Sequence, residues 1–110
     1  MNEFVEHTAT ERELVEILQS TKLPVRYSHF QNPQEPPFIV YLGNGQDTMA
    51  ADDTVYWKRN QYQIEYYYKD KDPDQEEAIE TALTEAGLYY EKSPDVWISG
   101  EGLFVIYYYV

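Results

Sequence analysis

The segment from residue 62 to residue 87 constrains the fold most, because its sequence pattern changes from that of a strand to that of a helix within a few residues. YQIEYYYK alternates in the manner of a β-strand, and the residues on its apolar side are Tyr62, Ile64, Tyr66 and Tyr68. A helix then begins with Asp72 as its N-cap and Pro73 in the first helical position, and Gly87 ends it. A strand that leads directly into a capped helix predicts a protein with both helices and strands.

A further helix and several strands complete the predicted order. Residues 8–20 start a helix through a capping box, in which the side chains of Thr10 and Glu13 each accept a hydrogen bond from the other's backbone N–H. The other strands are predicted at residues 25–30, 38–43, 54–59, within 88–98 (YYEK or DVWIS) and at 103–110. Residues 43–53, GNGQDTMAADD, are predicted to form a loop, and RNQ a turn. The expected fold class is α+β, with a mainly antiparallel sheet of about five strands and two helices on one face, in the order α-β-β-β-β-α-β-β.

The charge of the chain disfavours several classes of function. The 110 residues include 20 acidic and 8 basic ones, which gives a formal net charge of −12. Such a chain repels phosphate groups, so we expect neither specific nucleic-acid binding nor attachment to a membrane. The second helix is expected to expose an acidic face made of Glu76, Glu77, Glu80 and Glu85. We expect one domain over residues 1–110, with residues 1–8 as a flexible N-terminal segment.

Residues that could carry chemistry form only weak patterns. His7 and His29 stand outside any recognisable motif, and the absence of cysteine removes thiolate chemistry. A run of alternating aspartates resembles the first half of a calcium loop and consists of Asp70, Asp72 and Asp74. The pattern then fails, because Gln75 and Thr81 stand where Gly and Glu are required. We therefore expect no enzymatic activity, no cofactor and no bound metal.

The two tyrosine triplets raise the possibility of a contact surface. In the first triplet only Tyr67 falls on the polar side of its strand. In the last strand both sides are apolar: Leu103, Val105, Tyr107 and Tyr109 form one side, and Phe104, Ile106, Tyr108 and Val110 the other. Two interpretations remain open for this strand. It is central in the sheet, or the helix-free face is covered by a partner chain, most economically by a second copy.

Over roughly residues 12–110, the chain resembles small tail-completion proteins of long-tailed phages and prophages of Gram-positive bacteria. The resemblance rests on the runs LPVRYSHFQNPQEPPFIVYL, ADDTVYW, YQIEYYYKDKDPDQEEAIETAL and GLYYEKSPDVWISGEGLFVIYYYV. It implies a non-enzymatic protein of the virion, located in the host cytoplasm during assembly. Such a tail terminator or tail-to-head joining protein forms a ring, expected to be a hexamer, that caps the tail tube and docks onto the head connector. DNA would pass through the ring, and an acidic wall would not retain it.

The resemblance also implies that contact surfaces lie on the sheet and on the long loop. By expected exposure we assign them to Asp52, Asp53, Trp57, Tyr67, Tyr107 and Tyr109. For the two aspartates, turn formation is the simpler interpretation. A head-closure or other minor tail component of the same particle is a near alternative. A non-enzymatic acidic adaptor, or a DNA-mimic inhibitor that binds a host protein, is an alternative of another class.

Overall fold

The computed structural model describes residues 9–51 and 55–110, and the side chains of residues 49–57 are not described. The elements in chain order are α1 (Glu11–Gln19), β1 (Val25–Tyr27), β2 (Phe38–Ala51), β3 (Val55–Tyr68), α2 (Pro73–Glu85), β4 (Glu91–Lys92), β5 (Val96–Ile98) and β6 (Leu103–Tyr109). Thr10 and Glu13 form the predicted capping box of α1, with hydrogen bonds of 2.9 and 3.2 Å. Asp72 caps α2 and accepts a hydrogen bond of 3.3 Å from the backbone N–H of Gln75. The local signals for both helix starts are confirmed.

The strands form one mixed sheet in the order β1-β2-β3-β6-β4, and β5 also pairs with β6. β1 runs parallel to β2, and the other pairs are antiparallel. The central strands β2, β3 and β6 are in register at Ile39, Tyr66 and Ile106. Because side chains alternate along a strand, the three residues of such a row share one face of the sheet.

Both helices pack against a single face of this sheet, which we call the helix face. The buried core combines Leu14 and Leu18 of α1 with Ile79 and Leu83 of α2. Its strand residues are Ile39, Tyr41, Tyr62, Ile64, Tyr66, Tyr68, Ile106 and Tyr108. The predicted α+β class is therefore confirmed, with a sheet that is mixed because of its one parallel pair. The assignment of the inward tyrosines of β3 by alternation is confirmed as well.

The predicted loop at residues 43–53 is wrong over most of its length. β2 continues to Ala51 through a bulge between Gly43 and Gln46, and residues 55–68, which include most of the two predicted strands and the predicted turn RNQ between them, form one strand, β3. Backbone pairing across the hairpin outweighs the loop-forming composition of the segment, and the bulge absorbs the extra residues. Residues 46–51 and 55–60, which pair with each other past the end of β6, are called the hairpin arm.

The first predicted strand is shorter than expected. β1 ends at Tyr27 because Ser28 has a φ of 67°, in the left-handed region that breaks an extended strand. His29 therefore lies outside the strand. Since β1 and β2 are parallel, residues 28–37 must cross from one to the other. Residues of this crossover segment line one cleft with Val40 and Tyr67, so the segment lies over part of the face opposite the helices. There Phe30 contacts Phe38 edge to face, with ring centroids 5.2 Å apart.

The two alternatives for the strand within residues 88–98 are both present, as β4 and β5, separated by Ser93–Asp95. Both pair with the same edge of β6. In the gap between them, the backbone N–H of Ser93 donates to the carbonyl oxygen of Tyr107, and the backbone N–H of Tyr107 donates to the side-chain oxygen of Ser93. Among the helices of the described residues, none has the length and apolar character needed to cross a membrane.

Candidate functional site: the tyrosine face of the sheet

The face opposite the helices carries a cluster of polar and aromatic residues on its two central strands. The register places Gln63 opposite Tyr109 and Glu65 opposite Tyr107, with Tyr67 two residues further along β3. Strand alternation puts all five on the same side, and together they are called the tyrosine face. Tyr67 and Tyr107 are half-buried, and Tyr109 is 36% exposed. The surface combines partly exposed rings with a polar centre.

Glu65 forms that centre and is only 9% exposed. One carboxylate oxygen accepts a hydrogen bond of 2.6 Å from the side-chain amide of Gln63. The other accepts a hydrogen bond of 2.7 Å from the hydroxyl of Tyr67. Within the described part of the chain, no lysine, arginine or histidine forms an ion pair with this carboxylate. Among the described residues, Glu65 thus has hydrogen-bond donors but no cationic partner.

The aromatic rings of the face are arranged in two stacks. Phe38 stacks on Tyr67 with centroids 5.1 Å apart, and Tyr107 stacks on Tyr109 at 6.2 Å. Burial, the hydrogen bond to Glu65 and the negative charge of Glu65 raise the pKa of Tyr67 above its usual value. Burial and the same charge raise the pKa of Tyr107. Both phenols therefore stay neutral near pH 7 and remain hydrogen-bond donors.

Three of the six residues predicted to form contacts are brought together on this face, namely Tyr67, Tyr107 and Tyr109. Trp57 is far from them along β3, in the hairpin arm, where it pairs with Met49. Asp52 and Asp53 lie outside the described residues. The structure therefore brings the three predicted tyrosines together on one surface and places Trp57 apart from it.

The predicted acidic outer face of α2 is wrong for two of its four members. Glu76 is 4% exposed and Glu80 is half-buried, whereas Glu77 and Glu85 are exposed. Residues three or four apart share a side of a helix, so Glu76 and Glu80 flank the buried Ile79 and turn toward the sheet.

These inward glutamates belong to an ion-pair cluster whose members are Lys71, Glu76, Glu80, Lys92 and Asp95. Lys71 lies 2.6 Å from Glu76 and 2.9 Å from Asp95, and Lys92 lies 3.0 Å from Glu76 and 2.6 Å from Glu80. Burial disfavours the charged form of Glu80, but hydrogen bonds from Lys92 and from the Tyr108 hydroxyl outweigh it and lower the pKa of the carboxyl. The cluster joins α2 to the segment before the helix through Lys71 and to β4 through Lys92, and Asp95 lies in the connection between β4 and β5.

The described residues contain no group of three or more histidine and acidic side chains placed to hold a metal ion. Comparison with protein-family models finds no match, and comparison with curated proteins finds no significant match.

Proposed function

We propose that this chain is a structural protein of virion assembly, which forms a ring at the head–tail junction of a long-tailed phage, terminates the tail tube and joins it to the head connector. The observation that carries the proposal is the tyrosine face. Both helices pack on the other side of the sheet, and this side presents Tyr67, Tyr107 and Tyr109 around a buried carboxylate. Tyrosine-rich, partly exposed surfaces are typical of protein interfaces.

The hairpin arm supports an assembly role through its backbone. Within the described residues its two strands pair only with each other, over positions from Gln46 and Asn60 outward to Ala51 and Val55. At the usual rise of a strand, the six paired positions extend by about 17 Å. A two-stranded ribbon has little stability alone and leaves both of its outer edges open to pairing. A neighbouring subunit would supply what such an arm lacks.

The phage context rests on the sequence resemblance and on the charge of the chain. A net charge of −12 suits a ring through which DNA must pass without being held. The acidic adaptor or DNA-mimic inhibitor has weaker support. Its acidic helix face loses Glu76 and Glu80 to internal ion pairs, although Glu11, Glu13 and Glu16 of α1 remain exposed.

Mass measurement across a concentration series tests the ring directly, and capping of purified tail tubes tests the role. We expect a ring or a monomer–ring equilibrium for the native protein. Replacing Tyr107 and Tyr109 with serine should impair the capping of tail tubes more than replacing Tyr67, whose ring is held by Phe38 and Glu65. Tyr89→Ser is the matched control, because this tyrosine is 84% exposed and lies outside the tyrosine face.

Circular dichroism must show that each variant is folded, since an unfolded variant says nothing about assembly. A native protein that stays monomeric at every concentration and does not cap tail tubes would refute the proposed function. Equal capping by the Tyr109→Ser and Tyr89→Ser variants would show that the tyrosine face takes no part in docking onto the tail tube.

A further inference from the structure

Two carboxylates of the described residues are buried, and only one of them has counter-ions. Glu76 is 4% exposed and pairs with Lys71 at 2.6 Å and Lys92 at 3.0 Å. Glu65 is 9% exposed and accepts hydrogen bonds only from the neutral groups of Gln63 and Tyr67. Burying an ionised carboxylate is costly unless a cation compensates it. Among the described residues, the fold supplies such a cation at Glu76 and none at Glu65.

We propose that the tyrosine face binds a basic segment of a different protein, and that an arginine or lysine side chain of this segment pairs with the carboxylate of Glu65. The inference rests on the proposed assembly role and deepens it, because it gives the chemistry of the partner. The ligand it requires is a cation carried on an apolar or extended stretch of chain.

The surroundings of Glu65 suit such a cation. Tyr107 lies directly across from Glu65 on β6, and Tyr67 lies two residues along β3, so aromatic rings flank the carboxylate. Tyrosine rings attract arginine and lysine side chains through their π-faces. Each carboxylate oxygen accepts one hydrogen bond within the protein, and an oxygen of this kind has a further lone pair for an incoming donor. Arginine fits best, since its planar guanidinium group can donate to both oxygens of a carboxylate at once.

The rest of the segment has a place beside the cation. A cleft lies between the crossover segment and the tyrosine face, and its walls include Phe30, Pro33, Phe38, Tyr67 and Leu103. Because Tyr67 belongs both to this cleft and to the tyrosine face, one extended peptide can reach Glu65 and the cleft together. Aromatic and proline walls of this kind favour apolar side chains and extended peptides.

Charge favours a different protein over a second copy as the partner. Each copy carries a net charge of −12, and among the described residues Lys71, Lys92 and Arg59 are already paired with carboxylates of the same chain. Two tyrosine faces packed against each other would also bring one Glu65 toward another, which is repulsive. A partner segment with a positive charge avoids both the repulsion between two acidic chains and the repulsion between two Glu65 carboxylates.

The test is an NMR titration of the full chain with the tripeptide acetyl-Leu-Arg-Leu-amide. Its citrulline analogue, which has the same shape without the charge, serves as the control ligand. We expect shifts of the backbone amides of residues 63–67 and 105–109, and binding at least about tenfold weaker for the citrulline peptide, as for the loss of a charged hydrogen bond. Glu65→Gln should weaken binding of the arginine peptide similarly. Glu101→Gln, which removes an exposed charge from the wall of the cleft, should change it less.

The outcomes separate this inference from the proposed function. Equal binding of both peptides by the native protein, or shifts confined to other regions, would refute the inference even if Glu65→Gln did not fold. Shifts of the same amides on concentrating the protein alone, absent in Glu65→Gln, would identify a second copy as the partner and overturn the choice of a different protein. Arginine-specific binding by a protein that neither assembles nor caps tail tubes would uphold the site and refute the phage role. Assembly without arginine binding would do the reverse.

Discussion

Alkaline pH is the perturbation that most directly tests how the tyrosines are packed. Burial is the leading cause that raises the pKa of eight tyrosines of the described residues: Tyr41, Tyr62, Tyr66, Tyr67, Tyr68, Tyr90, Tyr107 and Tyr108. A group whose pKa is higher in the folded state stabilises the fold below its unfolded pKa. That stability is lost as the pH rises toward the folded pKa. The protein should therefore lose stability steeply above pH 10.

The size of the effect follows from Tyr41 and Tyr66, which are 4% and 1% exposed. Burial and the hydrogen bond to Glu11 raise the pKa of Tyr41 from 10.0 to about 12, and burial with the charge of Asp72 raises that of Tyr66 to about 12. At pH 11 each contributes about 1.4 kcal/mol less to the free energy of unfolding than at pH 7. Together they remove about 3 kcal/mol from the roughly 5–15 kcal/mol that is typical of a domain. The other six act in the same direction, so we expect unfolding before pH 12.

The assay combines urea unfolding at pH 8, 10 and 11 with the absorbance of ionised tyrosine. Tyr66→Phe removes one titrating group, so its free energy of unfolding should fall by about 1.4 kcal/mol less than that of the native protein between pH 8 and pH 11. Tyr89→Phe is the matched control, because Tyr89 is 84% exposed and its removal should leave the pH dependence unchanged.

Two results would show this reasoning to be wrong. Reversible ionisation of most tyrosines near pH 10, with the circular dichroism spectrum unchanged, would mean that their hydroxyls are not buried. An identical pH dependence for the native protein and Tyr66→Phe would mean that the burial of this ring does not disfavour its ionisation.

Two further substitutions test the helices. Glu76→Gln leaves Lys71 and Lys92 without their shared carboxylate and should lower the free energy of unfolding by about 2 kcal/mol, which is below the usual cost of a broken buried pair because both lysines are partly exposed. Urea unfolding measures this change, with Glu77→Gln, an exposed neighbour, as the control. Equal effects of the two substitutions would contradict a buried cluster. Gly87→Ala should lower the free energy of unfolding by about 1 kcal/mol through backbone strain, because Gly87 has a φ of 79° and an added Cβ would meet no neighbouring atom. Thermal unfolding checks this, with Gly100→Ala as the control. An unchanged unfolding midpoint for Gly87→Ala would argue against the left-handed turn.

The parts of the fold that could be predicted from sequence depend on neighbouring residues. The cap of α1 uses Thr10 and Glu13, three residues apart, and the inward side of β3 follows from alternation alone. The class of the fold follows from the order of such segments. Local physics decided these features, so local patterns were sufficient to find them.

The features that were missed depend on distant parts of the chain. Residues 46–51 became a strand because residues 55–60 pair with them, which composition does not show. Glu76 turns inward because Lys92, 16 residues away, reaches it. The burial of Glu65 depends on the strand that carries Tyr107, and only the register of the sheet brings the two together. A glutamate on the polar side of a strand otherwise resembles any solvated residue.

The pairing of β3 with β6 has a consequence for the order of events during folding. β2 and β3 are neighbours in the chain and can form their hairpin early. β6 is separated from β3 in the chain by α2, β4 and β5, so we expect it to pair with β3 later. Since Glu65 and Tyr67 come from β3 and Tyr107 and Tyr109 from β6, an intermediate without β6 has no complete contact surface. We expect pulsed hydrogen exchange to protect the β2–β3 amides before those of residues 105–109. In the proposed assembly role, a subunit would become competent to bind its partner only after its fold is finished, which would keep incompletely folded chains out of the particle.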